Sequence, residues 1–289
     1  MKKFRTWIAY GIYVLLVATI FLYFLFPADK VKAHIAAQVR YMYPNLRMSI
    51  GDASPIFPPG IRLYKVKLDH ETDRLFEAEN IAIFPDLLSL FRSSTTIGFR
   101  ASTQEGIIDG WAEFTGEMPD RRLKMDADIS GVQLGEFPFL KSFADYRLKG
   151  VITGKVSYSD RRDNGQSAKV QIVIADMQLS LAKSLLGFED MKFDRVDAQA
   201  SLNNQRLTIS RLKLTGELLD GELSGTGLIT GRLRESSISL KGEIKPHQQI
   251  RPGLDGKIPG KSPLGIVSGK GSLPVTVSGP LDNLRLGLK

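Results

Sequence analysis

Residues 6–28 read TWIAYGIYVLLVATIFLYFLFPA, a run without a single charge. A helix rises ~1.5 Å per residue and a hydrocarbon core is about 30 Å thick, so roughly 20 apolar residues are needed to cross it. A cleaved signal peptide is the competing reading. It would have a shorter apolar region of about 7 to 15 residues and a small-x-small cleavage site. Neither is found, and Phe26 and Pro27 are followed by Asp29, Lys30, Val31 and Lys32, a polar flank that suits a helix leaving the interface. Aromatic residues gather at both ends (Trp7, Tyr10, Tyr13, then Phe21, Tyr23, Phe24, Phe26), where amphipathic rings meet headgroups. The expectation is therefore an uncleaved anchor, with residues 1–28 forming a cytoplasmic N-terminus and one transmembrane helix. Lys2, Lys3 and Arg5 favour that orientation, while Lys30, Lys32 and Arg40 put similar charge on the far side. No second run in the 289 residues is long enough to span, so the chain reads as single-pass.

The net charge of +8 falls once Lys2, Lys3 and Arg5 are set aside, since 36 basic residues then face 31 acidic ones, a balance of +5. That excess fits proximity to anionic lipid better than nucleic-acid binding. Cysteine is absent, which excludes thiolate metal sites, redox pairs, disulfides and a thiol nucleophile.

Residues 30–43 (KVKAHIAAQVRYMY) set Val31, Ile35, Val39 and Met42 on one stripe of a helix that Pro44 ends. Two readings stand side by side. The basic helix, with Lys30, Lys32 and Arg40, lies on the lipid surface, or it caps one end of the domain that follows. Residues 29–45 are assigned to this juxtamembrane helix and residues 46–289 to a β-rich domain.

From residue 46 the apolar period changes to two. Tyr64, Val66 and Leu68 alternate with Lys65, Lys67 and Asp69, and Leu123, Met125, Ala127 and Ile129 alternate with Lys124, Asp126, Asp128 and Ser130. Val170, Ile172 and Ile174 repeat the pattern, as do Val196, Ala198, Ala200 and Leu202. Further strands are predicted at 148–158, 207–214, 218–229, 238–244, 273–277 and 284–288, with a bulge near Ser210 where the apolar phase slips. Turn chemistry at 160–165 (DRRDNG) and at Asn203, Asn204 and Gln205 marks hairpin ends. Helical signals are few: residues 85–91 (PDLLSLF) with Pro85 at the first helical position, and weaker ones at 137–143 and 181–186. Residues 246–263, rich in proline and glycine, read as an irregular loop. The fold class is mainly β behind an N-terminal transmembrane helix. It is an elongated, twisted antiparallel sheet, an open half-barrel or sandwich-like, with few short helices.

Two segments nearly rhyme, 105–114 (EGIIDGWAEF) and 217–225 (ELLDGELSG). Their Asp109, Gly110, Asp220 and Gly221 are expected at repeated turns or bulges, because aspartate and glycine suit such positions.

No reactive centre is legible. The three histidines (His34, His70, His247) have no metal-ligand spacing. Residues 225–231 (GTGLITG) sit inside a period-two pattern instead of opening a helix, against a dinucleotide loop. Asp126 and Asp128 share a face, which suits a solvated strand beside Lys124 far better than paired catalytic carboxylates. The Arg121–Arg122 and Arg161–Arg162 doublets read as hairpin tips that keep edges soluble, without the interleaved aromatics of a single-stranded nucleic-acid platform. No catalytic, metal or cofactor-binding residue is assigned, and neither nucleic acid nor a small-molecule substrate is expected.

In order, the chain sets out an N-terminal anchor, a basic amphipathic helix, a FPPGIRLYKVKL segment at 57–68, leucines at 87, 88 and 90, the GIIDG motif and a closing LPVTVSGPLDNLRL at 273–286. In this order the chain resembles the AsmA-like superfamily and, within it, the type II secretion system protein N family (GspN), over nearly the full length. The resemblance implies an inner-membrane protein of a diderm bacterium with its β-rich domain in the periplasm. It implies an accessory role in type II protein secretion through contacts with other secretion-system subunits. It also implies a second possibility, a lipid-binding or lipid-transfer module. The apolar face, with Leu123, Met125, Ala127, Ile129, Val170, Ile172 and Ile174, is then either an open groove for membrane lipid or a closed core, which alternation alone does not distinguish. At ~3.3 Å per residue, single strands are too short to bridge an envelope, so a spanning conduit is not expected.

Overall fold

The computed structural model describes residues 7, 10, 11, 13, 14, 17, 21 and 23–288, apart from 58–59, 71–72, 90–91, 104, 117–121, 142–145, 162–164, 186–187, 231–234 and 248–270. The period-two alternation folds as one antiparallel sheet of fifteen strands. They are β1 (Leu46–Ser49), β2 (Asp52–Ile56), β3 (Gly60–His70), β4 (Asp73–Pro85), β5 (Ser94–Ser102), β6 (Ile107–Thr115), β7 (Arg122–Gln133), β8 (Tyr146–Arg161), β9 (Gly165–Leu185), β10 (Phe188–Asn203), β11 (Arg206–Gly216), β12 (Leu219–Leu228), β13 (Ser237–Pro246), β14 (Leu273–Pro280) and β15 (Arg285–Leu288). From β3 onward each strand pairs with the one before it, and β1 and β2 both pair with β3. These two keep the same register on β3 and are one strand interrupted opposite Lys65, whose φ is 51°. Gly51 fits that kink because a Cβ there would crowd the Lys65 Cβ at 3.1 Å and the Tyr64 carbonyl at 3.2 Å. Among the described residues β15 pairs only with β14, so the sheet stays open, and there is no second sheet to make a sandwich.

Helix α1 (Ala28–Met42) follows Pro27 and carries the predicted stripe, with Val31, Ile35, Val39 and Met42 half-buried. It packs along β1 and β2. Phe26, Ala28 and Ile35 join Ile61, Ile81 and Ile83 around a buried cluster of Ala53, Leu63 and Val66. Lys32 Nζ donates to the Gly51 carbonyl at 3.2 Å and lies 2.9 Å from Asp29. Since Met42 leads directly into β1 while Lys32 meets Gly51, the helix runs antiparallel to β1–β2. It thus packs on the first strands of the domain, as the capping reading expects.

The sheet bends at irregular positions. Register shifts occur between Ile129 and Val132, where Gly131 has φ 69°, and between Lys149 and Val151, where Asp176 on the facing strand has φ 50°. The slip expected near Ser210 lies between Ile209 and Leu212, and Ser210 Oγ donates to the Gln199 carbonyl at 3.1 Å. Bulges of this kind increase local twist and let a wide sheet curl. Two connections then cross the curled face. A 3-10 turn (Leu134–Glu136) leads into α2 (Pro138–Lys141), which packs on β4, with the Phe137 ring 6.2 Å from that of Phe76. At the end of α1, Tyr43 reaches the Tyr158 hydroxyl on β8.

Several local expectations are corrected. The segment expected as a helix at 85–91 starts later and tighter: Pro85 ends β4, Asp86 folds a turn by accepting from the Leu88 N–H at 3.0 Å and, through its carbonyl, from Ser89, and Ser89 enters a 3-10 turn, while residues 90–91 lie outside the described ones. An aspartate that satisfies its own following backbone competes with helix propagation. Residues 181–185 are the end of β9 instead of a helix, held to β10 by pairing of Leu185 with Phe188. Of the loop expected at 246–263, Pro246 belongs to β13 and residues 248–263 lie outside the described ones. So do ten residues of the expected anchor, 6, 8–9, 12, 15–16, 18–20 and 22; Trp7, Tyr10, Gly11, Tyr13, Val14, Val17, Phe21, Tyr23 and Phe24 are helical. Among the described residues no helix is long and apolar enough to cross a membrane.

Glycine on the inner face makes the curl possible. A Cβ at Gly154 would lie 2.7 Å from the Ile172 Cα, and one at Gly242 would lie 2.7 Å from the Leu223 Cα. Gly154→Val overfills this approach and is expected to cost about 1–3 kcal/mol. Thr153→Ala, on the opposite face, is expected to stay within about 0.5 kcal/mol. Thermal unfolding of the two variants checks the contrast, and equal effects would contradict the close approach.

Candidate functional site: an open apolar sheet face

In an antiparallel pair, residues directly opposite one another point to the same side of the sheet. Following the register strand by strand gives one row of Pro55, Ile61, Ile83, Phe99, Gly110, Ala127, Val156, Val170, Ala200, Ile209, Gly225, Leu240, Val277 and Leu286. The neighbouring row is Ala53, Leu63, Ile81, Ala101, Ile108, Ile129, Gly154, Ile172, Ala198, Leu212, Leu223, Gly242 and Val275. Neither row contains a polar side chain. With strands about 4.8 Å apart, the first row traces a contour on the order of 60 Å across the sheet. The apolar path runs across the strands, so its length is set by strand count.

Among the described residues the face is covered at one end and less so toward the other. At one end, Leu134, Ile152, Ile174, Met191, Phe193, Val196, Leu219, Ile244 and Leu273 are buried together, with Phe137 and Leu140 packed on them. Toward the other, Met125, Val156, Tyr158, Val170, Ile172, Leu202, Leu207 and Ile209 are only half-buried among their sheet neighbours. Between the ends of β11, β12 and β13 lies a shallow recess lined by Arg206, Thr226, Gly227, Leu228, Ser237, Ile238 and Ser239.

The outer face is polar. Ser54, Arg62, Ala82, Arg100, Asp109, Asp128, Lys155, Gln171, Gln199 and Arg211 form its corresponding row. Arg100 pairs with Asp109, Lys155 with Asp128 at 2.9 Å, and Arg211 with Glu222 at 3.1 Å. Arg195, hydrogen-bonded through Nε and a terminal nitrogen, holds the Asp197 carboxyl below the usual range. Exposed pairs of this kind add little stability; they keep one face wet. Asp126, beside Lys124 on this face, accepts from the Ser157 hydroxyl.

The seven residues picked from alternation all lie on the apolar side. Leu123, Met125, Ala127 and Ile129 sit opposite Phe114, Ala112, Gly110 and Ile108 on β6, while Val170, Ile172 and Ile174 sit opposite Val156, Gly154 and Ile152 on β8. β7 and β9 are joined through β8, so the two sets form one surface. The Asp-Gly pairs are corrected. Asp109 and Gly110 lie inside β6, and Asp220 and Gly221 inside β12, at no register shift and with no positive φ at either glycine. In mid-strand the dipeptide sends a carboxylate to the wet face and leaves the apolar face without a side chain, so that Phe99 closes over Gly110 and Leu214 over Gly221. Asp220 still serves the β11–β12 turn by accepting from the Gly216 N–H at 3.3 Å, and it lies 3.4 Å from His247. Of the basic residues near the anchor, Lys30 and Arg40 are exposed, whereas the Lys32 ammonium is committed to Gly51 and Asp29.

Sequence reasoning missed the two phenols at the strap. The Tyr158 hydroxyl is held above its ordinary pKa, first by burial, then by the Tyr43 hydroxyl and the charge of Asp160. It stays neutral, as suits a group facing an apolar surface. Among the described residues no group of three or more histidine, aspartate or glutamate side chains could hold a metal ion. No family model matches the chain, and neither a curated protein nor a solved structure matches it.

Proposed function

We propose that this chain is a membrane-anchored, non-enzymatic lipid-binding protein whose open apolar sheet face receives acyl chains. The observation that carries the proposal is the pair of apolar rows, continuous across the sheet and, among the described residues, covered by no second sheet, with α1 packed only on their first end and Phe137 and Leu140 only on the buried cluster. A surface of that size cannot stay in contact with water without a strong drive to be covered. Acyl chains suit it because they need no hydrogen-bond partners and adapt to an elongated, featureless lining. The anchor belongs to the same proposal. Residues 6–28 have the length and composition of a spanning helix, and side chains in the described part face outward, with Trp7 78% and Phe24 80% exposed. Placement in a bacterial inner membrane, with the β-rich domain in the periplasm, rests on the resemblance to the AsmA-like superfamily.

Gently extracted protein, analysed by native mass spectrometry, is expected to carry phospholipid. The Val170→Asp/Ile172→Asp variant, with two charges on the half-buried part of the face, is expected to fold and to lose that lipid. Lipid-free wild-type protein would contradict the reading.

A second reading follows from the GspN resemblance: an accessory component of the type II secretion system that contacts other subunits through its β domain. The edge of β15, which among the described residues pairs only with β14, favours it, because unpaired strand backbone is a template for a partner strand. Deleting the gene is expected to reduce secretion of that system's substrates, and unchanged secretion would remove this reading while leaving lipid binding intact.

A further inference from the structure

Two hairpin tips carry large apolar side chains into solvent beside the place where the anchor joins the domain. Phe57, at the β2–β3 tip, is 86% exposed, and Leu87 and Leu88, in the β4–β5 connection, are 50% and 69% exposed. Both belong to turns, so no packing role on the sheet accounts for them. The tips are neighbours: Ile56 pairs with Gly60 to close the first, Pro85 pairs with Ile97 to close the second, and β3 lies directly beside β4. Gly60 is nested so closely that a Cβ would meet the Ile83 carbonyl at 2.8 Å and the Phe84 ring at 3.1 Å. Because α1 runs antiparallel to β1–β2, its N-terminal end comes to the same ends of these strands, and Phe26 and Ala28 pack into the cluster that holds Ile61 and Ile83. Ile61 and Ile83 are also the second and third members of the long apolar row.

We propose that Phe57, Leu87 and Leu88 insert into the lipid bilayer beside the anchor and seat the first end of the apolar face on the membrane surface. The occupant is a bilayer because the anchor's apolar run ends where the tips begin, making one continuous apolar margin. Charge agrees with that placement. Lys30 at the anchor and Arg92 at the second tip are exposed, as cations at headgroup level are, while Asp86 is turned back onto the Leu88 N–H and the exposed Asp29 is paired with Lys32. A single helix would leave the domain free to swing. Two inserted tips beside it fix the domain's tilt, so that a lipid leaving the bilayer meets Ile61 and Ile83 before any polar surface. The inference rests on the anchored reading of residues 6–28.

The absence of cysteine allows a direct test on the full chain. Single-cysteine variants Phe57→Cys, Leu88→Cys, Val14→Cys in the anchor and Lys169→Cys on the polar face are labelled with an environment-sensitive fluorophore. They are then reconstituted into phosphatidylcholine–phosphatidylglycerol vesicles containing brominated lipids. Quenching at 57 and 88 several-fold greater than at 169 is the expected result. Quenching at 14 with 57 and 88 matching 169 would overturn the rim and leave the anchor standing, with the tips then facing water or a protein partner. No quenching at 14 would sink the anchored reading and, with it, insertion beside the anchor, whatever is read at 57 and 88.

Discussion

The structure depends on one constraint: the cross-strand register must stay in phase over the whole sheet. Side chains alternate with a period of two, so a slip of one residue between any two strands would carry every later apolar residue to the wet face. The long row from Pro55 to Leu286 stays apolar across the irregular positions next to it, where an unusual backbone conformation or an extra residue absorbs the slip. Between Lys149 and Val151 the phase is restored by Asp176 at positive φ, and between Ile209 and Leu212 by Ser210, tied to the Gln199 carbonyl. These irregularities bend the sheet and at the same time keep its two faces distinct.

Curling gives an apolar face partial cover, with no second sheet among the described residues. Bulky residues gather at one end around Val196, Phe193 and Leu273, where they bury one another. Elsewhere Gly154, Gly225 and Gly242 occupy row positions at which a side chain would collide with the adjoining strand. Two straps, Phe137 on Phe76 and Tyr43 on Tyr158, hold distant parts of the curled face together. Each strap comes from a connection between elements, so the opening between them is set by loops while the lining is set by strands. The proposed lipid path therefore runs across strands, and each added hairpin would lengthen it by two strand spacings, roughly 10 Å.

Much of this was legible because alternation is a local property. Leu123 to Ile129 and Val170 to Ile174 announce a wet face and a dry one without reference to any partner strand, and the hairpin ends at Asn203–Gln205 follow from turn chemistry. What was misread depended on distant neighbours. Asp109–Gly110 and Asp220–Gly221 have the composition of turns, and only the register shows that they lie opposite Phe99 and Ile244 in mid-sheet. Pro85 looks like a helix start until β5 pairs with it. Residues 181–185 look helical until β10 does. Alternation also gives no hint of whether a dry face is closed by a second layer, because that is decided by which surfaces meet. The Tyr43–Tyr158 strap joins residues far apart in sequence through no recognisable motif.

The central claim, that one face is open and holds acyl chains while its reverse faces water, is tested most directly by position-by-position photo-crosslinking along β9. A photoreactive amino acid placed in turn at Lys169, Val170, Gln171 and Ile172 in membrane-embedded protein should give lipid adducts at 170 and 172 and none at 169 and 171. Adducts at all four positions, or at none, would contradict the account.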